Sequence, residues 1–420
     1  MTAIADLPDI RPSLLLDFAN SGRVDPRIEC TRASSATCFG PDGKLRTVPA
    51  NTPRIDYDPA TGKCLGLLVE EARTNYLKYS ADFSQNVWAK IRSSIALNSA
   101  GVKAPDGSIA YKLVEDSSTS NTHNIGQHLR LEPNTEYTFS AFIKAAERQY
   151  AFMSVGNFVT QENPQALRIN LVTGSVLGGA EGRYKITKLQ DGWFIVSSMF
   201  KTAATISVDS SPNIFTAIDQ TPTGSTYSGD GVSGSYVGGV QLEVGTFPTS
   251  YIPTEGTAVT RAAENISVAL PSYTTATIFA AGASQADYAE SSSNANARRT
   301  WFRLYNDYSL DEISVFVGPV SVNAVRRLDT GGASAASIAP VASSTGGYVA
   351  TALSYSSEKS LLKGAANGVI GGESAYVQYF PYTHLSIGSN KGARQINGHI
   401  RRIATYETQL AANQLQRLTA

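Results

Sequence analysis

The chain has 420 residues, more than one ordinary domain holds, and two or three domains are expected from length alone. Hydrophobic residues make up 42% of it, enough to build real cores, which excludes global disorder. Its 35 basic residues are matched by 35 acidic ones, and the pairs Arg298-Arg299, Arg326-Arg327 and Arg401-Arg402 are scattered, so the basic surface that a nucleic-acid binder needs is missing.

No apolar run approaches the ~20 residues that cross a bilayer, and membrane insertion is not expected. The N-terminus, MTAIADLPDIRPSLLLDF, carries acids before its first base, and its apolar stretch is too short for a secretion signal. Cys30, Cys38 and Cys64 are odd in number and lack CxxC spacing, which argues against a disulfide scaffold or zinc site and for small buried thiols. Tyrosine outnumbers phenylalanine, glycine is plentiful, and Ser and Thr abound, a mixture that suits polar-faced sheets joined by tight turns.

Residues 1–80 are dense in turn signals, from Asp25-Pro26 through Pro41-Asp42-Gly43 to Thr61-Gly62, with short apolar runs at Leu14-Leu15-Leu16 and residues 65–69. Such a segment buries little alone and must pack on something else. From residue 81 to 255 the rhythm is that of strands. Tyr137, Phe139, Ala141 and Ile143 share one face of YTFSAFIK, because side chains on a strand repeat every two residues. Thr173-Gly174 and Gln190-Asp191-Gly192 each join two strand-like runs as hairpins. SYVGGVQLEVGTFPTSYIP, from Ser235, alternates and then closes on an aromatic-proline end. Strands at this spacing with no convincing helix predict a sandwich, and Trp193 is placed in its core.

Residues 256–420 begin a second all-β run, with strands predicted at 266–270, 276–281, 301–305, 313–317 and 348–354 and in HLSIGSNKGARQINGHIRRIATY. Residues 289–298 and 329–345 are poor in bulky side chains and read as long exposed loops. Only Leu410, Gln414, Leu415 and Leu418 are spaced for a helix; Gln414 stands where a capping box wants its acceptor, but the capping position is Ala411. The fold class expected is all-β, a turn-rich N-terminal segment plus two antiparallel sandwiches. Thr31-Arg32-Ala33 and Thr260-Arg261-Ala262 echo one another, a match short enough to read as a habit of the junctions and not as a domain repeat.

LLLDFANSGRVDPRIECTRASSATCFGPDGKL followed by PRIDYDPATGKCLGLLVEEARTNYL resembles the N-terminal region of tailed-phage fibre or head-spike proteins. The middle, with Trp88, Lys90, the Pro-Asp-Gly-Ser of residues 105–108 and the closing GVQLEVGTFPTSYIPT, is similar to the jelly-roll carbohydrate-binding modules that follow there. The last part resembles their concanavalin-like or laminin-G-like sandwich. The three cysteines depart from that pattern. The resemblance implies a virion location, assembly in the bacterial cytoplasm with release by lysis, a homotrimer, contact with other virion proteins through the N-terminal segment, and glycan binding. Sandwich folds host many functions, so the site has to be argued from residues.

Nucleophilic catalysis needs a base positioned beside a nucleophile, and none of His123, His128, His384 and His399 lies in such a context. Glycan hydrolysis uses two carboxylates about 5–10 Å apart. Glu70-Glu71 and Asp311-Glu312 are sequence neighbours that point to opposite faces of a strand, so neither is a natural pair. Calcium asks for converging oxygens; Ser228-Gly229-Asp230-Gly231 offers the Asp230 carboxylate, which Asp209 or Asp219 could join, against the plainer reading of a glycine-rich turn with a solvated aspartate. Sugar recognition lays aromatic faces on the apolar side of a pyranose. The candidates are Trp88, Tyr150, Phe158, Tyr227, Trp301, Tyr305 and Tyr308, with the cluster Tyr376, Gln378, Tyr379 and Tyr382; core packing or a protein contact competes for each.

These readings combine into three regions: a 1–80 attachment segment, an 81–255 jelly-roll carbohydrate-binding-like sandwich, and a 256–420 concanavalin-like sandwich with a short C-terminal helix. The function expected is non-enzymatic, a surface fibre or spike binding host-cell polysaccharide with no cofactor beyond a structural calcium. Two alternatives stay open: a capsid or baseplate decoration protein without glycan binding, and a spike that depolymerises the polysaccharide.

Overall fold

The computed structural model describes residues 10–97, 101–156, 167–205, 211–217, 226–284, 299–306, 312–317, 322–327, 333–339, 348–359, 361–375, 381–390 and 394–420. The chain is nearly all β, in antiparallel sheets. Two six-stranded sheets form the first sandwich. One is centred on the strands Glu136–Ala145, Trp193–Lys201 and Gly234–Val244, the other on Tyr150–Gly156. Tyr137, Phe139, Ala141 and Ile143 do point into one core, where they meet Ile125, Met153 and Ile169 of the facing sheet. Both predicted hairpins form; Gly174 and Asp191 adopt the left-handed backbone that their turns require.

The second sandwich packs a nine-stranded sheet on a seven-stranded one around Ile278, Leu353, Ile400 and Ile403 from the first and Val268, Phe302, Leu304 and Leu385 from the second. Its outer face is covered by the helix Ala412–Thr419, which lays Leu415 and Leu418 on Phe279, Ala352 and Tyr406. The side-chain carbonyl of Gln414 accepts the Ala411 N–H at 2.9 Å, the half of a capping box that alanine leaves.

The turn-rich N-terminal segment is woven into this second sandwich. Leu14–Asp17 and Cys64–Val69 both pair with Gly398–Tyr406, and Ile28–Thr31 pairs with Asn265–Tyr273 in the opposite sheet. Leu14, Leu16, Phe18, Leu67 and Val69 fill its core. Short apolar runs separated by turns are what edge strands of a larger sheet need.

The expected loop at 329–345 is corrected in part: Ala333–Ala339 is a strand pairing with Val322–Arg327. Small Ser and Ala side chains hide a strand whose backbone bonds are made by its neighbour. The expected loop at 289–298 lies outside the described residues, as do Phe158, Tyr308, Tyr376, Gln378 and Tyr379, except that Arg298 is followed directly by the strand Arg299–Tyr305.

Trp301 corrects another expectation. Named as a candidate to stack on a sugar, it lies at a bulge between Thr300 and Phe302 and points inward with Phe302, 0% exposed. Replacing Trp301 with Ala should cost about 3–5 kcal/mol of unfolding free energy. Urea unfolding followed by circular dichroism measures this, and a loss within ±0.5 kcal/mol, the range of an ordinary surface change, would put the ring back at the surface.

Candidate functional site at the domain junction

The sugar-platform candidates do not come together. Trp88 packs on Phe83 at 5.1 Å and donates its indole N–H to the Tyr79 carbonyl at 3.0 Å. Tyr150 is buried on a strand bonded on both sides, and Tyr382 is buried edge-on against Tyr355. With Trp301, these four rings are closed to a sugar. Tyr227 is almost closed as well: its hydroxyl donates to Glu115 at 2.6 Å and its ring packs, tilted, on His123 at 4.6 Å. Tyr305 alone among the described candidates stays half-open, stacked on His384 at 5.2 Å with the Arg303 guanidinium 4.6 Å from its ring.

Asp230 does not fit a calcium site. One carboxylate oxygen accepts the N–H groups of Val232 and Ser233 at 2.9 and 2.7 Å, and the other accepts the Ser233 hydroxyl at 2.6 Å with Arg148 at 3.3 Å. These bonds hold its pKa well below the usual carboxylate range, the Ser233 hydroxyl contributing most. A guanidinium occupies the side where a cation would sit, and no group of three acidic, histidine or cysteine side chains converges among the described residues. Asp209 and Asp219 lie outside them.

The site that the fold does build lies where the sandwiches meet. A cavity of about 340 Å³ opens between the outer face of the first sandwich and the N-terminal strands of the second. Phe142, Ser197, Gln241 and Lys185 come from the first; Phe39, Asp56, Tyr57 and Leu68 come from the second, with His399 and the connecting residues 248–251 closing the ring. Gly239 has no side chain where the Tyr251 ring lies on the sheet; a Cβ there would run into that ring. Tyr251 is then fixed by its hydroxyl on Ser80 at 2.6 Å and by an edge contact with Phe142 at 5.4 Å.

Asp56 accepts the Phe39 N–H at 2.7 Å with one oxygen and faces His399 Nε2 at 2.8 Å with the other. Lys185, an exposed residue of the edge strand Tyr184–Lys188, lines the cavity. Cys38 also lines the space, but burial pushes its thiol up to about 11, which leaves it unreactive at neutral pH. Cys30 and Cys64 are likewise free and shifted upward by burial.

Behind the cavity lies a closed network of ions. Glu70 accepts Arg54 at 2.8 Å, Arg261 at 3.1 Å and the N–H and hydroxyl of Ser250 at 2.9 and 2.6 Å. Glu264 accepts Arg54 at 2.6 Å, Arg32 at 3.1 Å and the Glu70 N–H at 2.8 Å. The side chains of Arg32, Arg54, Arg261 and Glu264 are 0% exposed and that of Glu70 is 6% exposed. The two echoed Thr-Arg-Ala tripeptides therefore each deliver a guanidinium to one cluster.

Sequence reasoning missed Asp56, Tyr57, Lys185 and Gln241, because they gather from three distant stretches with no spacing in common. The pairing of the two tripeptides was the one signal that pointed to the junction.

No protein-family model matches the chain, and no curated protein matches it. Among solved structures it is similar to the carbohydrate-binding module CBM40 of the Ruminococcus gnavus IT-sialidase, at 16% identity over 36% of this chain and 84% of that one, with a TM-score of 0.28. Domain 4 of AbnA, a GH43 extracellular arabinanase from Geobacillus stearothermophilus in complex with arabinotriose, matches at 14% identity over 41% of this chain and 82% of its own, TM-score 0.29. Mouse laminin α1 domains LG4-5 match at 11% identity over 73% and 92%, TM-score 0.24.

Glu70 generates a test. Its pKa is depressed well below the ordinary 4.5: burial works against the charged form, but Arg261 and Arg54 outweigh it. A depressed carboxylate stabilises the fold above its unfolded pKa, and that stability is lost as pH falls from about 4.5 toward the folded value. Glu70→Gln should cost about 3–5 kcal/mol at neutral pH, since it removes the buried carboxylate that Arg54 and Arg261 share, and should flatten the loss of stability below pH ~4.5. Denaturant unfolding across that range checks both; a variant with the wild-type acid slope would remove Glu70 as its source.

Proposed function

We propose that this chain is a virion surface fibre or head-spike protein that holds a host-cell saccharide in the junction cavity without cleaving it. The observation that carries the reading is the lining of that cavity. The rings of Phe39 and Tyr57 offer apolar faces beside the Asp56 carboxylate, the Gln241 amide and the Lys185 ammonium, groups that hydrogen-bond sugar hydroxyls. The resemblance of residues 28–77 to tailed-phage spike proteins supports the virion setting.

The carboxylates argue for holding over cutting. A glycosidase acid needs a raised pKa so that it carries a proton at working pH. Glu70 is driven the other way by Arg261 and Arg54, and Asp56 has both oxygens engaged by Phe39 and His399. One cavity grips one saccharide weakly; a homotrimer would raise avidity by ~10²–10⁴. Attachment to other virion proteins is proposed through the N-terminal region, whose residues 14–69 would pass load into both sheets of the second sandwich through strand hydrogen bonds.

Purified protein should bind immobilised surface polysaccharide of its host, and Lys185→Gln should weaken that binding about tenfold, the loss of one charge-assisted hydrogen bond. Polysaccharide viscosity should stay constant on incubation. Falling viscosity would make the chain a depolymerase. Absence of binding to the host polysaccharide would leave a purely structural role.

A further inference from the structure

We propose, resting on the saccharide reading of the junction cavity, that the sugar it takes carries an acetamido group whose methyl seats against an apolar wall. Leu45, Phe142 and Tyr251 belong to one buried cluster, with Phe39 and Ile195 packed on it, and all five border the cavity together with Leu68. Most polar groups of the lining are spent on protein partners. Ser140 and Ser197 bond to one another at 2.8 Å, the Tyr251 hydroxyl meets Ser80, and Glu70 is taken up by Arg54, Arg261 and Ser250. A space of about 340 Å³ walled in this way holds water poorly, because water there finds few of the partners it needs.

The capacity that remains is small and includes both a donor and an acceptor. Gln241 accepts the Ile252 N–H at 2.7 Å and gives one Nε2 hydrogen to Glu243 at 2.8 Å; among the described residues no acceptor meets the other hydrogen. Each Asp56 oxygen faces one partner, the Phe39 N–H or His399 Nε2, and keeps a lone pair. An acetamido group has the matching parts: a carbonyl for the Gln241 hydrogen, an N–H for the Asp56 carboxylate and a methyl for the rings. A hydroxyl in its place brings no methyl, and against Phe142 and Leu68 it would lose its water without gaining a partner. Lys185, exposed on its edge strand, marks the mouth, where the sugar's hydroxyls emerge. The other space at the junction is a groove of about 470 Å³ that begins at Glu71 and holds the half-exposed Tyr76 ring. Its charges pair among themselves, Glu71 with Arg73 and Arg299, and it serves as the control.

Methyl N-acetyl-β-glucosaminide and methyl β-glucoside, which differ only in that group, are titrated against the full chain by saturation-transfer NMR. The glucosaminide should bind about tenfold more tightly, the combined effect of one buried methyl and one hydrogen bond. Its acetyl methyl should receive more saturation than the ring protons, since apolar side chains surround it. Phe39→Ala, at a half-buried ring, should reduce the preference about threefold. Lys185→Gln should weaken both glycosides and keep the preference, and Tyr76→Ala, in the groove, should change neither. Matching circular dichroism verifies each fold. Equal affinity for the two glycosides, saturation spread evenly over the sugar, or a preference untouched in Phe39→Ala would overturn the acetamido proposal and leave the saccharide reading standing. So would failure of both glycosides while the host polysaccharide still binds. Failure of both together with the polysaccharide would sink the reading as well. Loss of the glucosaminide in Tyr76→Ala would move the site to the groove and overturn the proposal.

Discussion

Five buried ions at the junction hold the rest of the molecule in place. Arg32 and Arg54 come from the turn-rich N-terminus, Glu70 from the end of a strand, and Arg261 and Glu264 from the chain just after the first sandwich. Charges this deep are expensive to desolvate, so they persist only where geometry satisfies them together. Here the hydrogen bonds extend outward: Arg54 donates to the Thr37 carbonyl at 2.7 Å, Arg32 to the Pro49 carbonyl at 2.6 Å, and Ser250 closes on Glu70 with both its polar groups. Apolar contacts tolerate sliding, whereas these directional charge contacts fix a registry.

That registry is what gives the junction its two spaces. With Glu70 locked, the chain leaves the strand Cys64–Val69 in a single direction, and Glu71 meets Arg73 and Asn397. The connector residues 248–251 are then pinned against the outer face of the first sandwich, where Gly239 gives Tyr251 room. Cavity and groove are consequences of the same lock. Ligand pockets favour such meeting points of domains, because two rigid surfaces that fail to mesh leave a shaped gap.

Much of the fold was legible because strand parity is a local code. Tyr137, Phe139, Ala141 and Ile143 needed only their spacing, and Gly174 and Gly192 marked their hairpins. The code failed where backbone pairing, invisible in the sequence, took over. The bulge at Trp301 breaks the alternation, so that Trp301 and Phe302 both enter the core, and the alanine- and serine-rich strand Ala333–Ala339 carries no hydrophobic pattern at all. The site was harder still. Aromatic residues advertise sugar binding and core packing alike, and Trp88, Tyr150, Trp301 and Tyr382 went to the core. Lys185 gave no local sign, since its meaning comes from Asp56 and Glu70, more than a hundred residues away.

Recognition at a locked junction, as proposed, would also bear on how the protein withstands load. A site on loop tips moves with the loops, and part of its binding free energy goes into ordering them. The junction cavity is walled by strands of both sandwiches, and its walls are tied by ions that yield only if the domains separate. For a ligand held there, the ordering cost would be met during folding and not on contact. The same tie has a consequence for the second sandwich: its N-terminal strands carry Arg32, Arg54 and Glu70, so the sheet edge cannot peel without breaking the network. Stability of the edge and shape of the site are therefore one property, set by Arg54 reaching both carboxylates.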